Sequence, residues 1–292
     1  MTIKTLKPLD FGNRRVLTTE EALAQLEGYV PEKTPQNPPT DPDPEPNGNL
    51  EGSVEISGDY ILMPKANTKA LGIHALRESC EKESSSAHPQ FVRTDGSKIY
   101  RPLTFKEDIE ARVNDYESNK DTDTRDNAKN RLRLFNRWID SCTGVAYKAG
   151  TTKFKLIPQC EPLIEIAKDF NSAFMVIDYD SIAGVELNSS SGKYNERLTK
   201  AEVIEHPAWR AAVEDDKKLL ETYAEIVFTE YAQQYPDRDA SKLMRFWVTS
   251  NTAQDQLRAL FVNILNNISD ANGDNDLDIN GSFLQVAPPK TP

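Results

Sequence analysis

The sequence predicts an α+β protein in which small β-hairpins and a sheet feed a mainly helical C-terminal half, behind an extended N-terminal arm. Three observations predict this. Capping boxes, with Thr followed three residues later by Glu, recur at Thr18 and Glu21, Thr104 and Glu107, and Thr199 and Glu202, each a helix start signal. Short runs of strand-prone residues flank the glycine turns Asp95-Gly96 and Ala149-Gly150. Seven prolines between Pro31 and Pro46 set the first thirty residues apart from the rest. The expected organisation is an arm over 1–30, an acidic proline-rich linker over 31–52 and one α+β body over 53–292.

In the arm, Thr18 caps a short helix that Gly28 ends, with Leu17, Leu23, Leu26 and Val30 as apolar anchors. A helix of about ten residues is marginal alone in water and needs a surface to dock on. The linker favours extended polyproline conformations, and at roughly 3 Å per residue it can carry the arm several tens of Å, far enough to reach a neighbouring subunit.

From Val54 onward the pattern is mixed. A strand is expected at Asp59–Met63, a helix over Thr68–Glu83, and a hairpin joining Phe91-Val92 to Ile99-Tyr100. The helix opened by Thr104 places Phe105, Ile109 and Val113 on one face. Helical spacing returns over Asn127–Ile139, and Val145–Tyr147 with Thr152–Ile157 forms a second hairpin. Pro162 suits the first turn of a helix running to Phe170. Ala173–Tyr179 reads as a buried strand, with Val185–Leu187 as its short partner before a turn at Ser189–Gly192. Pro207 starts a long helix in which Trp209, Val213, Leu220, Tyr223, Val227 and Tyr231 keep a 3.6-residue period. Helices at Ala240–Thr249 and Thr252–Ile268, an acidic loop and a strand at Phe283–Val286 complete the body.

Cys80, Cys142 and Cys160 are an odd number at unrelated spacings, giving neither a disulfide framework nor a metal-type pair, and so point to a reducing interior. Met1–Asp10 lacks the apolar stretch of a secretory signal, and no run approaches the roughly 18 apolar residues of a membrane span. The expected location is the cytoplasm or an intracellularly assembled particle, with no membrane partner. The net charge of −11 divides into −7 over 1–124, +6 over 125–155 and −10 over 156–292. Bulk acidity opposes indiscriminate nucleic-acid binding, so an anion contact would be local to the basic island.

Within that island Lys129, Arg133 and Arg137 recur every fourth residue, lining one helix face, while Lys148, Lys153 and Lys155 lie on the following hairpin beside Tyr147 and Phe154. Such cations suit phosphates or an acidic protein surface. Asp178 and Asp180, at alternate positions of a strand, would point to one side, where paired carboxylates hold a divalent cation such as magnesium for phosphodiester chemistry. Asp270, Asn272, Asp274, Asp276, Asp278 and Asn280 alternate oxygen ligands in a manner suited to calcium, yet no frame puts a glutamate at the twelfth position of an EF-hand loop. His74, His88 and His206 are dispersed, without a nucleophile or zinc pattern around them. Cys142 reads as a buried structural thiol.

The preferred reading is a non-enzymatic structural or interaction subunit of a larger assembly, such as a virion or other particle, needing no cofactor. Its partners would be other protein subunits or copies of itself. The alternative is a metal-dependent enzyme acting on phosphodiesters, or a nucleic-acid-binding module, using the 125–155 region.

Overall fold

Thr104 opens the first of the described helices as its sequence requires: its hydroxyl accepts from Glu107 N at 3.3 Å while the Glu107 carboxylate accepts from Thr104 N at 2.8 Å. In the computed structural model this helix, α1, spans Phe105–Asn119 and buries Phe105, Ile109 and Val113 together with Asp108, Arg112 and Asp115. The structure describes residues 54–56, 60–62, 101–121, 131–164, 172–265, 269–277 and 284–286, all within the compact unit Pro46–Pro292. The arm and its anchors Leu17, Leu23, Leu26 and Val30, the linker, the helix expected over 68–83 and the hairpin expected over 91–100 lie outside the described residues.

The protein is α+β. A small antiparallel sheet joins β1 (Val54–Ile56), β2 (Tyr60–Leu62), β3 (Arg101–Pro102) and β11 (Leu284–Val286) in the order β1-β2-β11-β3. The main sheet comprises β4 (Ile139–Tyr147), β5 (Lys153–Ile157), β6 (Met175–Val176), β7 (Val185–Asn188), β8 (Phe246–Trp247), β9 (Gln256–Val262) and β10 (Ala271–Asn275). Its order is β7-β5-β4-β9-β10-β8, with β6 also paired to β9. All its pairs are antiparallel except β8 with β10. Leu103, just past β3, accepts from Cys142 N at 2.8 Å and so joins the two sheets.

Side chains alternate across the sheet. Val145 and Tyr147 of β4, Phe154 and Leu156 of β5, and Leu260 and Val262 of β9 belong to one core cluster with Phe105, Trp209, Leu220 and Tyr223 of the helices. The opposite face is covered too. Gly144 is there because a Cβ would meet Cys160 Sγ at 2.8 Å and Leu257 Cδ1 at 2.9 Å. Lys155, also on this face, reaches the carbonyls of Tyr179 and Ile182. The helices of the C-terminal part are α2 (Glu161–Ile164), α3 (Lys200–Glu205), α4 (Pro207–Ala212) and α5 (Lys217–Gln234). Among the described residues no helix is long and apolar enough to cross a membrane.

Several expectations hold: the strands at β2 and β11, the hairpin of β4 and β5, and the Thr199 capping box. Others need correction. The C-terminal half is not mainly helical, because 240–249 contributes the strand β8 and 252–268 the strand β9. Of the helical spacing expected over 127–139, the described part past residue 131 forms turns, in which Leu132, Leu134 and Phe135 are all buried, so Arg133 and Arg137 do not line one helix face. The long helix from Pro207 breaks between α4 and α5, where Glu214 and Asp215 take positive φ values of 51° and 63° and Asp216 caps the new start. Of the strand expected at 173–179 only Met175–Val176 forms, with Val176 68% exposed, and β7 pairs with β5 instead. The acidic loop begins as the strand β10.

Candidate interaction face

Three loops meet at one end of the main sheet: the β4–β5 turn over 148–152, the segment 188–195 after β7, and 248–255 between β8 and β9. Gly150 sits at φ 63°, with open space where a Cβ would be, which lets the turn close tightly. Its amide donates to Thr252 O at 2.9 Å, and Asn251 N donates to Thr151 O at 3.0 Å. Ser189 N donates to Thr152 O at 2.9 Å, while Asn188 Oδ1 accepts from the hydroxyls of Thr152 and Ser190. Asn195, at φ 62°, joins the outer loops: its side chain donates to Val248 O at 2.9 Å and accepts from Val248 N at 2.8 Å. These bonds hold exposed Gly150, Ser190, Ser191, Ser250, Asn251 and Gln254 on a common scaffold.

Beside these loops the structure brings together two groups that the sequence leaves apart, the hairpin lysines and the Asp178–Asp180 segment. Asp255 is the organiser, its Oδ1 accepting from Ala149 N at 2.7 Å and its Oδ2 from Tyr179 N at 3.2 Å. Lys148 binds Asp180 at 2.7 Å, and this bond holds the Asp180 carboxyl below its ordinary range. Lys153 binds Glu186 of β7 at 3.0 Å and likewise lowers the Glu186 carboxyl. Lys155 lies 4.4 Å above the Tyr179 ring. Burial, with Glu186 next to it, pushes the Tyr179 hydroxyl up.

Asp178 and Asp180 do not share one side of a strand. They lie at a 3-10 turn over Tyr179–Ser181, where Asp178 Oδ1 accepts from Asp180 N, so one carboxylate caps the turn and the other pairs with Lys148. Among the described residues no group of acidic, histidine or cysteine side chains is arranged to hold a metal ion. The calcium-like set is likewise committed. Asp270 pairs with Arg245 through two bonds, and its burial, opposed by Arg245, raises its carboxyl to about 6. Arg258 binds both Asp274, at 3.4 Å, and Asp276, at 2.5 Å, while Asn272 Oδ1 accepts from Asp274 N. Asp278 and Asn280 lie outside the described residues.

The rest of the basic island is dispersed. Arg133 is bound to Asp115, Arg137 is half-buried with its guanidinium lowered by desolvation, and Lys129 lies outside the described residues. Sequence reasoning missed Asp255, Tyr179, Glu186 and Asn188. Asp255 and Asn188 carried only the signal of turn-forming types, and Tyr179 and Glu186 carried none, since nothing in the sequence says which loops meet.

No family model matches the sequence, and no curated protein matches it. Among solved structures the chain is similar to one described in the words "Accommodation of massive sequence variation in Nanoarchaeota by the C-type lectin fold". The two are 15% identical over 80% of this chain and 100% of that one, with a TM-score of 0.45. A likeness of that size supports no functional argument.

Proposed function

We propose that this chain is a non-enzymatic interaction subunit of a larger protein assembly, with the loop-bearing end of its main sheet as the recognition face. In this reading the arm, through Leu17, Leu23, Leu26 and Val30, tethers the body to neighbouring copies across the 31–52 linker. The supporting observation is the cross-tying of the three loops, which offers hydroxyl, amide and backbone groups to a partner at small ordering cost. The phosphodiester reading is weaker because its carboxylates and cations are bound to each other: Asp180 to Lys148 and Asp178 to its own turn.

Light scattering at rising protein concentration tests the proposal on three chains: the full chain, a chain beginning at Val54, and a Ser190→Arg, Ser250→Arg variant. The full chain is expected to associate, and each of the others to associate at least tenfold more weakly. Equal association of all three, or a full chain that stays monomeric, defeats it. So does magnesium- or manganese-dependent nuclease activity that Asp178→Asn with Asp180→Asn abolishes.

A further inference from the structure

His206 stands at the corner between α3 and α4, where it is at once the C-cap of one helix and the N-cap of the next. The ring makes two polar contacts of opposite sense. Ala208 N donates to Nδ1 at 3.3 Å, and Nε2 lies 3.1 Å from Lys193 O. A carbonyl can only accept and an amide N–H can only donate, so these partners fix the neutral tautomer with its proton on Nε2. The ring is also enclosed by aromatics, edge-on to Tyr194 at 4.8 Å and stacked on Phe246 at 6.0 Å. Through Lys193 O it connects the helix corner to the 188–195 loop.

We infer that His206 is an acid-released cap of α4: while neutral its Nδ1 accepts from Ala208 N, and protonation removes that acceptor while Nε2–H goes on donating to Lys193 O. A second proton can enter only at Nδ1, where it faces the Ala208 N–H in place of a lone pair and sets a charge among aromatic rings. The charged groups nearby are engaged elsewhere. On the loop and α3, Lys193 pairs with Glu202. Glu205 pairs with Lys217, while Arg210 of α4 reaches Glu205 and Asp215. Next to β8, Arg245 is held by Asp270, and Arg197 acts on Asp270 and Asp239. Tyr194 is the titratable group in ring contact, its hydroxyl pushed up to about 12 by burial. Burial holds the imidazole below its ordinary 6.5, against the pull of the Lys193 carbonyl, which favours the protonated ring.

The sign follows from linkage. A folded-state value below the unfolded one means that the stability the ring contributes is present above 6.5 and is lost as pH falls through the lower folded value. This cap is independent of the recognition face proposed above. Amide hydrogen exchange measured by NMR on the isotope-labelled full chain, corrected for intrinsic rates, reads it directly. Protection of the Ala208 amide is expected to fall by up to about tenfold per pH unit from about 6.5 down to the folded value. His206→Asn, which keeps a neutral capping acceptor, is expected to remove this dependence. The inference is overturned if the wild-type ring titrates at or above 6.5, if protection is flat with pH, or if His206→Asn shows the same transition. Should that variant fail to fold, the wild-type ring titration and Ala208 exchange decide alone.

Discussion

Arg133 reaches Asp115 with Nε at 3.0 Å from each carboxylate oxygen, and Asp115 is 1% exposed. Breaking a buried ion pair leaves the remaining charge without its counter-ion, at a cost of about 3 to 5 kcal/mol when both partners are buried. Arg133 is itself partly solvated, so Arg133→Ala is expected to lower the unfolding free energy by about 2 kcal/mol, read from urea denaturation. An unchanged midpoint would mean that water replaces the arginine without loss. The same logic holds at Glu230, which is 3% exposed and takes two bonds from Arg131 and one from the Tyr116 hydroxyl. These arginines belong to the stretch that composition marks as a basic surface, yet each is spent on a buried carboxylate more than fifteen residues distant in the chain. Charge counting along a sequence registers the excess of cations but not the partner that folding brings to each one.

At the scale of elements, β9 explains where the pattern was legible and where it was not. Its residues Gln256, Leu257, Ala259, Leu260 and Val262 are buried while Arg258 and Phe261 are partly exposed, a repeat that imitates a helix. A strand covered on both faces loses the two-residue alternation that identifies it. The capped starts of α1 and α3 were readable to the residue, and the hairpin of β4 and β5, whose turn needs Gly150, was readable in place though not in the full length of β4. For the candidate face, Lys148, Lys153, Lys155, Asp178 and Asp180 could be picked out individually. Their meeting could not, since it depends on β7 pairing with β5 and on Asp255 holding Tyr179 beside Ala149. The double covering also gives a prediction. Gly144→Ala would drive a methyl into Cys160 Sγ and Leu257 Cδ1, so it is expected to destabilise by about 1 to 3 kcal/mol in chemical denaturation. A neutral result would show that the outer covering of β4 yields freely.

For the whole molecule, acid response has a second contributor whose sign is opposite to that of His206. Asp270 is raised from 3.8 to about 6, chiefly by burial, so its contribution to stability is complete below 3.8 and is lost as pH rises to about 6. The difference in unfolding free energy between the wild type and Asp270→Asn is therefore expected to shift against the wild type from about pH 4 to about pH 6 and then level off, as measured by denaturant titration across that range. A difference independent of pH would mean that the Arg245 contact wins over desolvation. The rims of the main sheet have a different consequence. Its order ends in β7, four residues long, and β8, two residues long, and β6 adds a further two-residue strand. A strand from another copy laid along any of these would find only a handful of backbone donors and acceptors, too few to template a growing cross-β stack. Among the described residues these rims therefore offer little footing for fibril growth.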